Sequence, residues 1–360
     1  MSAAPVSSTA PRRALGPSAL SFRFPPRYRV IWGAVTLLLV AIVAIAPDVL
    51  NDSSRRLDTP MIAVLVIASL GQLLVVTAGG FDLSAAATMS FASAFLLTFT
   101  DGSDGRLVVG LVLVIAASAG IGAVNGVLAG PAGLNPLIVT LAMGGVVGAL
   151  ALLITDQGNE VLNTTTPPAL SDVATSYVAS ISVMLLIAVA IAALVALALR
   201  RSTVGRRYVA AGANPRAARI IGVPIARYQV AGYACAGALY GIAGVLLAGF
   251  VERPNLTLGD PYLLSTFIVV ALGGALFAGG PTSVASTVAG AFFFVWLVHL
   301  LAIKGLSAGA QSLVQGVVLV VAVAVVTGLS GRSRRRDTTD APPPIPQNNT
   351  TQGGDDHVAG

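Results

Sequence analysis

Long runs of apolar residues recur along the chain from residue 30 to residue 328, separated by short polar or glycine-rich stretches. A helix needs about 17 to 25 largely apolar residues to cross a bilayer. Ten segments approach or reach that length: 30–46, 60–78, 82–99, 107–130, 136–155, 173–199, 228–250, 262–279, 282–301 and 308–328. The third and the eighth are the least apolar of these segments. The pattern predicts an all-α fold, a polytopic membrane helical bundle of about ten transmembrane helices.

Basic residues are concentrated at one side of this predicted bundle. Sixteen of the 21 Lys and Arg residues fall in three segments, 1–29, 200–227 and 329–360. Loops rich in Lys and Arg stay in the cytoplasm. We therefore expect one membrane domain at 30–328 with a cytoplasmic loop at 200–227, flanked by disordered cytoplasmic tails at 1–29 and 329–360.

Composition narrows the classes of function further. The residues are 55% hydrophobic and 10% charged, whereas soluble domains carry about 25% charged residues. One cysteine and two histidines argue against a disulfide or a metal site, so no cofactor or metal is expected. The single lysine, Lys304, follows Ile303, so the chain lacks the G-x-x-x-x-G-K-[ST] phosphate loop of an ATPase. Basic residues interleaved with aromatics do not occur, so nucleic acid is not an expected partner.

Small residues recur at helical spacing in the fourth and seventh spans. The two sets are Gly122, Gly126 and Gly130, and Gly237, Gly241 and Gly244. Glycines along one helix face let backbones pack closely in lipid, so we expect close helix contacts there. A second repetition relates Ala78-Gly79-Gly80 to Ala278-Gly279-Gly280, 200 residues later. Three matching small residues in a chain this rich in Gly and Ala are equally compatible with chance.

Asp82 is the acidic residue that falls at a span edge without a polar loop around it. Acidic residues inside the membrane are often functional, for example as proton relays. The neighbouring Gly79 and Gly80 are typical of a turn, and a carboxylate there could cap the third span by accepting bonds from free amides near Ala85. The sequence favours this structural cap.

Four polar side chains interrupt otherwise apolar spans: Gln72, Asn125, Thr140 and Gln311. Such groups could line a path for a polar solute. Each could equally form a hydrogen bond to a neighbouring helix. As a set they are the candidates for a translocation path.

The loop at 200–227 contains a short helix with well-defined ends. Asn214 is a favourable N-cap, Pro215 suits the first helical position, and Gly222 suits the left-handed residue beyond the end. These signals predict a helix from Pro215 to Ile221.

That helix could contact another protein or a lipid surface. Arg216 and Arg219 are three residues apart and share one face. The apolar residues are Ala217, Ala218, Ile220 and Ile221. Docking into a groove and lying on anionic lipid are equally compatible with this pattern.

Four stretches of the chain resemble a known family, the permease subunits of bacterial ATP-binding-cassette importers for monosaccharides of the ribose, xylose and galactose type. The stretches are Gly80-Phe81-Asp82-Leu83-Ser84, Asn125-Gly126 with Asn135 to Leu141, Gly212 to Gly222, and Gly273-Gly274 through Gly279-Gly280 to Ser283-Val284. The third stretch is similar to the family's coupling loop, through which the permease contacts its ATPase. On this resemblance the coupling residues are Gly212, Asn214, Pro215, Arg216, Ala217, Ala218, Arg219 and Gly222.

The resemblance implies a non-enzymatic permease of the bacterial plasma membrane that carries a monosaccharide or a similar small polar solute. Its partners would be a separate ATPase subunit, a second permease that is identical or different, and an extracytoplasmic sugar-binding protein. Departures from the family pattern at Ala85-Ala86 and Pro281-Thr282 leave the solute open, with nucleosides, a signalling furanosyl compound and branched-chain amino acids as further candidates. A proton-coupled secondary transporter and a membrane-embedded enzyme are the rival classes; Asp82 without a partner base argues against both.

Overall fold

The computed structural model describes residues 26–156, 164–178, 181–252 and 255–339, and their side chains from Tyr28 to Leu329. Helices form nearly all of its regular structure. In chain order the helices are α1 (Pro26–Ile45), α2 (Asp52–Thr77), α3 (Ala85–Thr100), α4 (Asp104–Ala129), α5 (Pro136–Ile154), α6 (Pro168–Thr175), α7 (Val183–Arg201), α8 (Thr203–Ala213), α9 (Pro215–Ile220), α10 (Ile225–Val251), α11 (Asp260–Leu272), α12 (Val284–Ile303) and α13 (Ala308–Thr339). A 3₁₀ turn spans Pro47–Leu50. Strands β1 (Tyr177–Val178) and β2 (Ile181–Ser182) form a small antiparallel hairpin.

Ten of these helices correspond to the ten predicted spans, which confirms the predicted helical bundle. Eight helices in the described part of the chain are long and apolar enough to cross a membrane. The other two, α3 with 16 residues and α11 with 13, match the two least apolar segments of the sequence. Each of these short helices lies next to an irregular glycine-containing segment, 78–84 beside α3 and 273–283 beside α11.

Helices α2 and α10 form the core of the bundle. In the most apolar stretch of α2, 89% of the residues are buried within the chain, and in that of α10, 67% are buried. Helix α10 packs against α2, α3 and α4. A Cβ atom on Gly237 would lie 2.1 Å from the Ser118 carbonyl oxygen, and one on Gly122 would lie 2.1 Å from the Tyr233 carbonyl oxygen. The predicted glycine faces of the fourth and seventh spans therefore meet each other, because only glycine permits this backbone approach.

The outer helices present apolar side chains to their surroundings. In the most apolar stretches of α1, α4, α5 and α7, 22% of the residues are buried, and in that of α13, 11% are buried. Leu37, Leu153 and Leu313 are more than 70% exposed. Water would penalise such a surface, whereas the hydrocarbon of a bilayer does not. The exposed belt is therefore the lipid-facing surface of a multi-pass membrane protein.

The two ends of the bundle differ in character. We call the end at which α1 begins the tail face and the opposite end the loop face. The tail face includes Tyr28, Thr77, the loop 130–135, the segment 202–224 and the segment 273–283, and Tyr28 donates a hydrogen bond to the Pro281 carbonyl there at 2.7 Å. The loop face includes the 3₁₀ turn, α6, the β hairpin and Lys304, which donates to the Ile45 carbonyl at 2.6 Å.

Several predicted boundaries need correction. Helix α1 begins at Pro26, within the predicted tail 1–29, and α13 continues to Thr339, within the predicted tail 329–360. Backbone hydrogen bonds continue a helix beyond the end of its apolar run. The predicted span 173–199 is divided, because α6 and the hairpin precede α7. Residues 1–25 and 340–360 lie outside the described residues, and their predicted disorder stays a prediction.

Candidate functional site

Helices α8 and α9 form an arm on the tail face between α7 and α10. The Ser202 side chain accepts a hydrogen bond from Gly205 N at 2.8 Å and caps α8. Oδ1 of Asn214 accepts from Ala217 N at 3.0 Å, Pro215 occupies the first turn of α9, and Gly222 has a φ of 79°. The predicted caps are confirmed, and the helix ends at Ile220, one residue before the predicted end.

The surface of α9 differs from the prediction in one residue. Ala218 is 3% exposed and packs with Ala211 and Val223, so it belongs to the interior of the arm and not to a docking surface. Its burial follows from the turn at Gly222, which returns the chain against α8. Ile220 and Ile221 are 86% and 74% exposed and form the apolar tip of the arm. Both side chains are therefore free to contact a partner protein or a lipid surface.

The arm is strongly basic. The arginines of the arm and of the helix ends that flank it are all exposed: Arg200, Arg201, Arg206, Arg207, Arg216, Arg219 and Arg227. The segment 200–227 contains no Asp or Glu. A partner surface with acidic groups would therefore be attracted and oriented by the arm.

Three glycines join the arm to the two irregular segments, and we call their meeting point the glycine junction: Gly79, Gly212 and Gly279. A Cβ atom on Gly212 would lie 1.8 Å from the Thr77 carbonyl oxygen. One on Gly279 would lie 2.6 Å from the Gly212 carbonyl oxygen and 3.0 Å from the Cα of Gly79. Gly79 and Gly279 also have positive φ angles of 82° and 91°, which favour glycine. The junction therefore requires glycine for both space and conformation.

Further bonds fix the two irregular segments to each other. Gly280 N donates to the Thr77 carbonyl at 3.0 Å, and the hydroxyls of Thr77 and Thr282 are 2.9 Å apart. The rings of Phe81 and Phe277 stack with centroids 5.4 Å apart. The sequence similarity between residues 78–80 and 278–280 thus has a structural counterpart, because the two turns are in direct contact.

Asp82 lies buried, 1% exposed, in the segment before α3. Its Oδ1 accepts bonds from Ser84 N at 2.9 Å and from Ser84 Oγ at 2.6 Å. The N-cap position of α3 is Ser84, because the helix begins at Ala85, three residues after Asp82. The predicted cap is corrected accordingly: Asp82 stabilises the turn that leads into the helix, and its bond goes to Ser84 and not to an amide near Ala85.

Two of the four predicted path residues contact this segment. Nδ2 of Asn125 in α4 donates to Ser84 Oγ at 2.9 Å. Oγ1 of Thr140 in α5 accepts from Leu83 N at 2.9 Å. Both side chains are fully buried, so in the described structure they hold the 82–84 segment between α4 and α5.

The other two predicted path residues lie elsewhere. Gln72 is buried between α2 and α10, where its Oε1 accepts from the Tyr240 hydroxyl at 3.1 Å. Gln311 lies in α13 near the loop face and donates to the Leu306 carbonyl at 2.9 Å. The structure therefore brings Asn125 and Thr140 together around one segment, whereas Gln72 bonds to α10 and Gln311 lies near the loop face.

Comparison with known proteins identifies the class of molecule to which this arrangement belongs. A family model described as "Branched-chain amino acid transport system / permease component" matches residues 60–323, which is well over half of the chain. The chain belongs to this family of permease components. The match begins in α2, ends in α13 and contains the arm and the glycine junction.

Curated relatives support this assignment along most of the permease. A ribose import permease protein from Bacillus subtilis is 30% identical over 79% of the chain and 88% of that relative. An autoinducer 2 import system permease protein from Yersinia enterocolitica is 30% identical over 76% and 85% of the two chains. A fructose import permease protein from Bifidobacterium longum is 28% identical over 81% and 85%. No solved structure gives a significant match.

The structure of the permease also shows a polar pair that the sequence pattern did not reveal. A carboxylate oxygen of Asp58 in α2 lies 2.7 Å from Nδ1 of His299 in α12. The sequence pattern assigns no role to either residue. Their separation of 241 residues explains why periodicity could not relate them. No signal in the sequence indicates the pair, because Asp58 precedes the second predicted span and His299 lies in the ninth.

Proposed function

We propose that this permease forms the translocation path of an ATP-driven importer for a monosaccharide or a closely similar polyhydroxylated solute. The observation that carries the proposal is the capped, basic arm with its exposed apolar tip, joined through the glycine junction to both irregular segments of the bundle. The relatives named for ribose, fructose, arabinose and autoinducer 2 support the class of solute. The family description names branched-chain amino acids, which makes them the alternative substrate class.

A separate ATPase subunit is the proposed partner of the arm. The caps at Asn214 and Gly222 hold α9 in one conformation, so docking costs less conformational entropy than ordering a free loop. Ile220 and Ile221 would fill an apolar groove of the ATPase. The surrounding arginines would meet acidic groups at its rim, where charge contributes mainly to orientation and association rate.

Movement of the arm would reach the membrane helices through the glycine junction. Gly212 contacts the end of α2 at Thr77, and Gly279 contacts both Gly212 and Gly79. Close-packed backbone contacts are hardly compressible, so a displacement of one segment moves the segment that it contacts. An ATPase that pulls or rotates the arm would therefore shift the segments before α3 and after α11 together.

The remaining assembly follows from the same proposal. A second permease subunit, identical or different, would complete the path, and an extracytoplasmic binding protein would deliver the solute to the loop face. The tail face would lie in the cytoplasm of a bacterial cell, since the arm and both tails carry the basic residues.

Docking through the tip is tested by Ile220→Asp. Burying an isoleucine contributes about 1.5–3 kcal/mol, so we expect the affinity for the ATPase to fall about tenfold or more. Uptake and solute-stimulated ATP hydrolysis should fall with it, while the permease still inserts into the membrane at normal levels. The affinity is measured with purified permease and ATPase, and uptake in cells that produce both.

Leu134→Asp is the matched control, because Leu134 is also an exposed apolar residue of the tail face but lies in the loop between α4 and α5. It should leave ATPase binding unchanged. Unchanged ATPase affinity in the Ile220→Asp variant would exclude the tip as the docking site and favour contact with lipid. Ala218→Asp is unsuitable for this test, because the burial of Ala218 means that the substitution would disrupt the arm itself.

A further inference from the structure

A cavity of about 710 Å³ lies between α2, α10, α11, α12 and α13, toward the loop face. This volume falls within the range of about 300–1,000 Å³ typical of small-molecule sites. Its polar lining residues are Asp58, Ser265, His299, Gln311, Ser312 and Gln315. Tyr262 and Phe294 add aromatic surface. The cavity therefore combines several hydrogen-bonding groups with aromatic rings.

The polar side chains of the cavity differ in how many of their hydrogen-bonding atoms already have a partner within the protein. Asp58 and His299 are bonded to each other, which fixes both side chains at the cavity wall. Gln311 uses its Nε2 on the Leu306 carbonyl. The Gln315 side chain makes no hydrogen bond to the described part of the chain. The Tyr262 hydroxyl donates only to the Met61 sulfur at 3.3 Å, and a thioether is a weak acceptor.

We propose that this cavity is a binding subsite for a single monosaccharide unit within each permease subunit. The inference rests on the proposed function and names the place where the solute is held near the loop face. A carboxamide offers both donor and acceptor to sugar hydroxyls, and the Asp58 carboxylate retains acceptor capacity beside His299. The aromatic rings pack against the C–H faces of a sugar.

The same lining disfavours the two other occupants of comparable size. An amino acid carries a carboxylate, yet no Lys or Arg is among the described residues that line the cavity. His299 is already bonded to Asp58, so that charge would lack a dedicated cationic partner there. A lipid acyl chain would leave Asp58 and Gln315 facing hydrocarbon, which costs free energy for every unpaired polar group. A neutral polyol satisfies these groups without introducing charge.

The test uses Ser312→Cys in a Cys235→Ser background, with the full chain in lipid nanodiscs. Ser312 lines the cavity, and this choice keeps the Gln315 carboxamide in place. A small methanethiosulfonate reagent is applied with and without D-ribose, D-fructose or L-arabinose. We expect one of these sugars to protect the cysteine, with the labelling rate about tenfold lower at a sugar concentration about tenfold above half-protection. Ser103→Cys, exposed on the loop face outside the cavity, should show no protection.

Uptake kinetics give an independent readout. Gln315→Ala should raise KM for the protecting sugar, because a direct hydrogen bond is lost, while the membrane level of the protein is unchanged. If a sugar is transported but protects no cysteine and KM is unchanged in Gln315→Ala, the subsite is refuted and the importer proposal stands. If leucine protects and is transported while the sugars are not, both the subsite and the proposed solute class are wrong. Labelling that is absent in nanodiscs but present in detergent, with no effect of sugar, would assign the cavity to lipid.

Discussion

At the scale of single residues, the buried polar side chains mainly form hydrogen bonds that hold irregular backbone in place. Asn125 in α4 and Thr140 in α5 bind the segment 82–84, and Asp82 bonds to Ser84 within it. Backbone that leaves a helix inside a membrane must find other hydrogen-bond partners. These side chains supply some of them, which explains why polar residues occur in otherwise apolar spans.

Asp82→Asn should preserve most of the uptake, because an amide oxygen can accept the same two bonds from Ser84. Asp82→Ala leaves both Ser84 donors without that acceptor and should destabilise the permease by about 1–3 kcal/mol. Thermal unfolding in detergent measures the stability, and solute uptake measures the function. Loss of uptake in Asp82→Asn at normal stability would instead assign a charge-dependent role to the carboxylate.

Gly212→Ala should impair the glycine junction. The added methyl group would meet the Thr77 carbonyl oxygen at 1.8 Å, so the arm must shift away from α2. Overpacking of this kind costs about 1–3 kcal/mol, and we expect a lower unfolding temperature together with weaker coupling of ATP hydrolysis to uptake.

Gly145→Ala is the matched control for this substitution. Gly145 is also a helical glycine, but nothing lies within 4 Å of its added Cβ atom. Its variant should keep normal stability and coupling. A Gly212→Ala permease with full stability and full coupling would show that the junction does not transmit movement from the arm.

At the scale of elements, helix caps could be predicted well and helix neighbours poorly. Asn214, Pro215 and Gly222 define α9 through interactions within a few residues, so local sequence was sufficient. The burial of Ala218 depends on α8 and Val223, and the shortness of α11 depends on the turn at Gly273 and Gly274. Both features required knowledge of the packing around the element.

The double substitution Arg216→Gln and Arg219→Gln should have a milder effect than Ile220→Asp. Both arginines are exposed, and charges at the rim of an interface are screened over about 8 Å at physiological ionic strength. We expect a slower association with the ATPase at low salt and little difference from the unaltered permease at high salt. Stopped-flow association rates across a salt series measure this, and an effect as large as that of Ile220→Asp at every salt concentration would contradict it.

At the scale of the whole molecule, the alternation of ten helices places the described connecting segments at one of two ends of the bundle. The arm lies on the tail face, and the cavity beside Asp58 and His299 lies toward the loop face. The two proposed contacts of the permease, one with an ATPase and one with the solute, are thus at opposite sides of the membrane. The core helix α2 extends from one to the other.

The orientation of these faces can be tested by cysteine labelling in a Cys235→Ser background. Ser103→Cys on the loop face should react with an impermeant maleimide in intact cells, since that face is predicted to be outside. Thr203→Cys on the arm should react only after the membrane is permeabilised. The reverse pattern would mean that the basic segments lie outside the cell and that the predicted topology is inverted.

The sequence by itself determined that the protein lies in a lipid bilayer, that it is a bundle of membrane helices, and where helix α9 begins and ends. Ten apolar runs require a bilayer because hydrocarbon is the medium in which such helices are stable, and the caps of α9 follow from side chains adjacent to it. Only the tertiary structure decided which glycines meet at the junction, that the path candidates Asn125 and Gln311 lie apart, and that Asp58 faces His299. Contacts between residues far apart in the sequence depend on how helices pack. A periodic glycine face indicates that a helix packs closely, but it does not indicate which residues it meets.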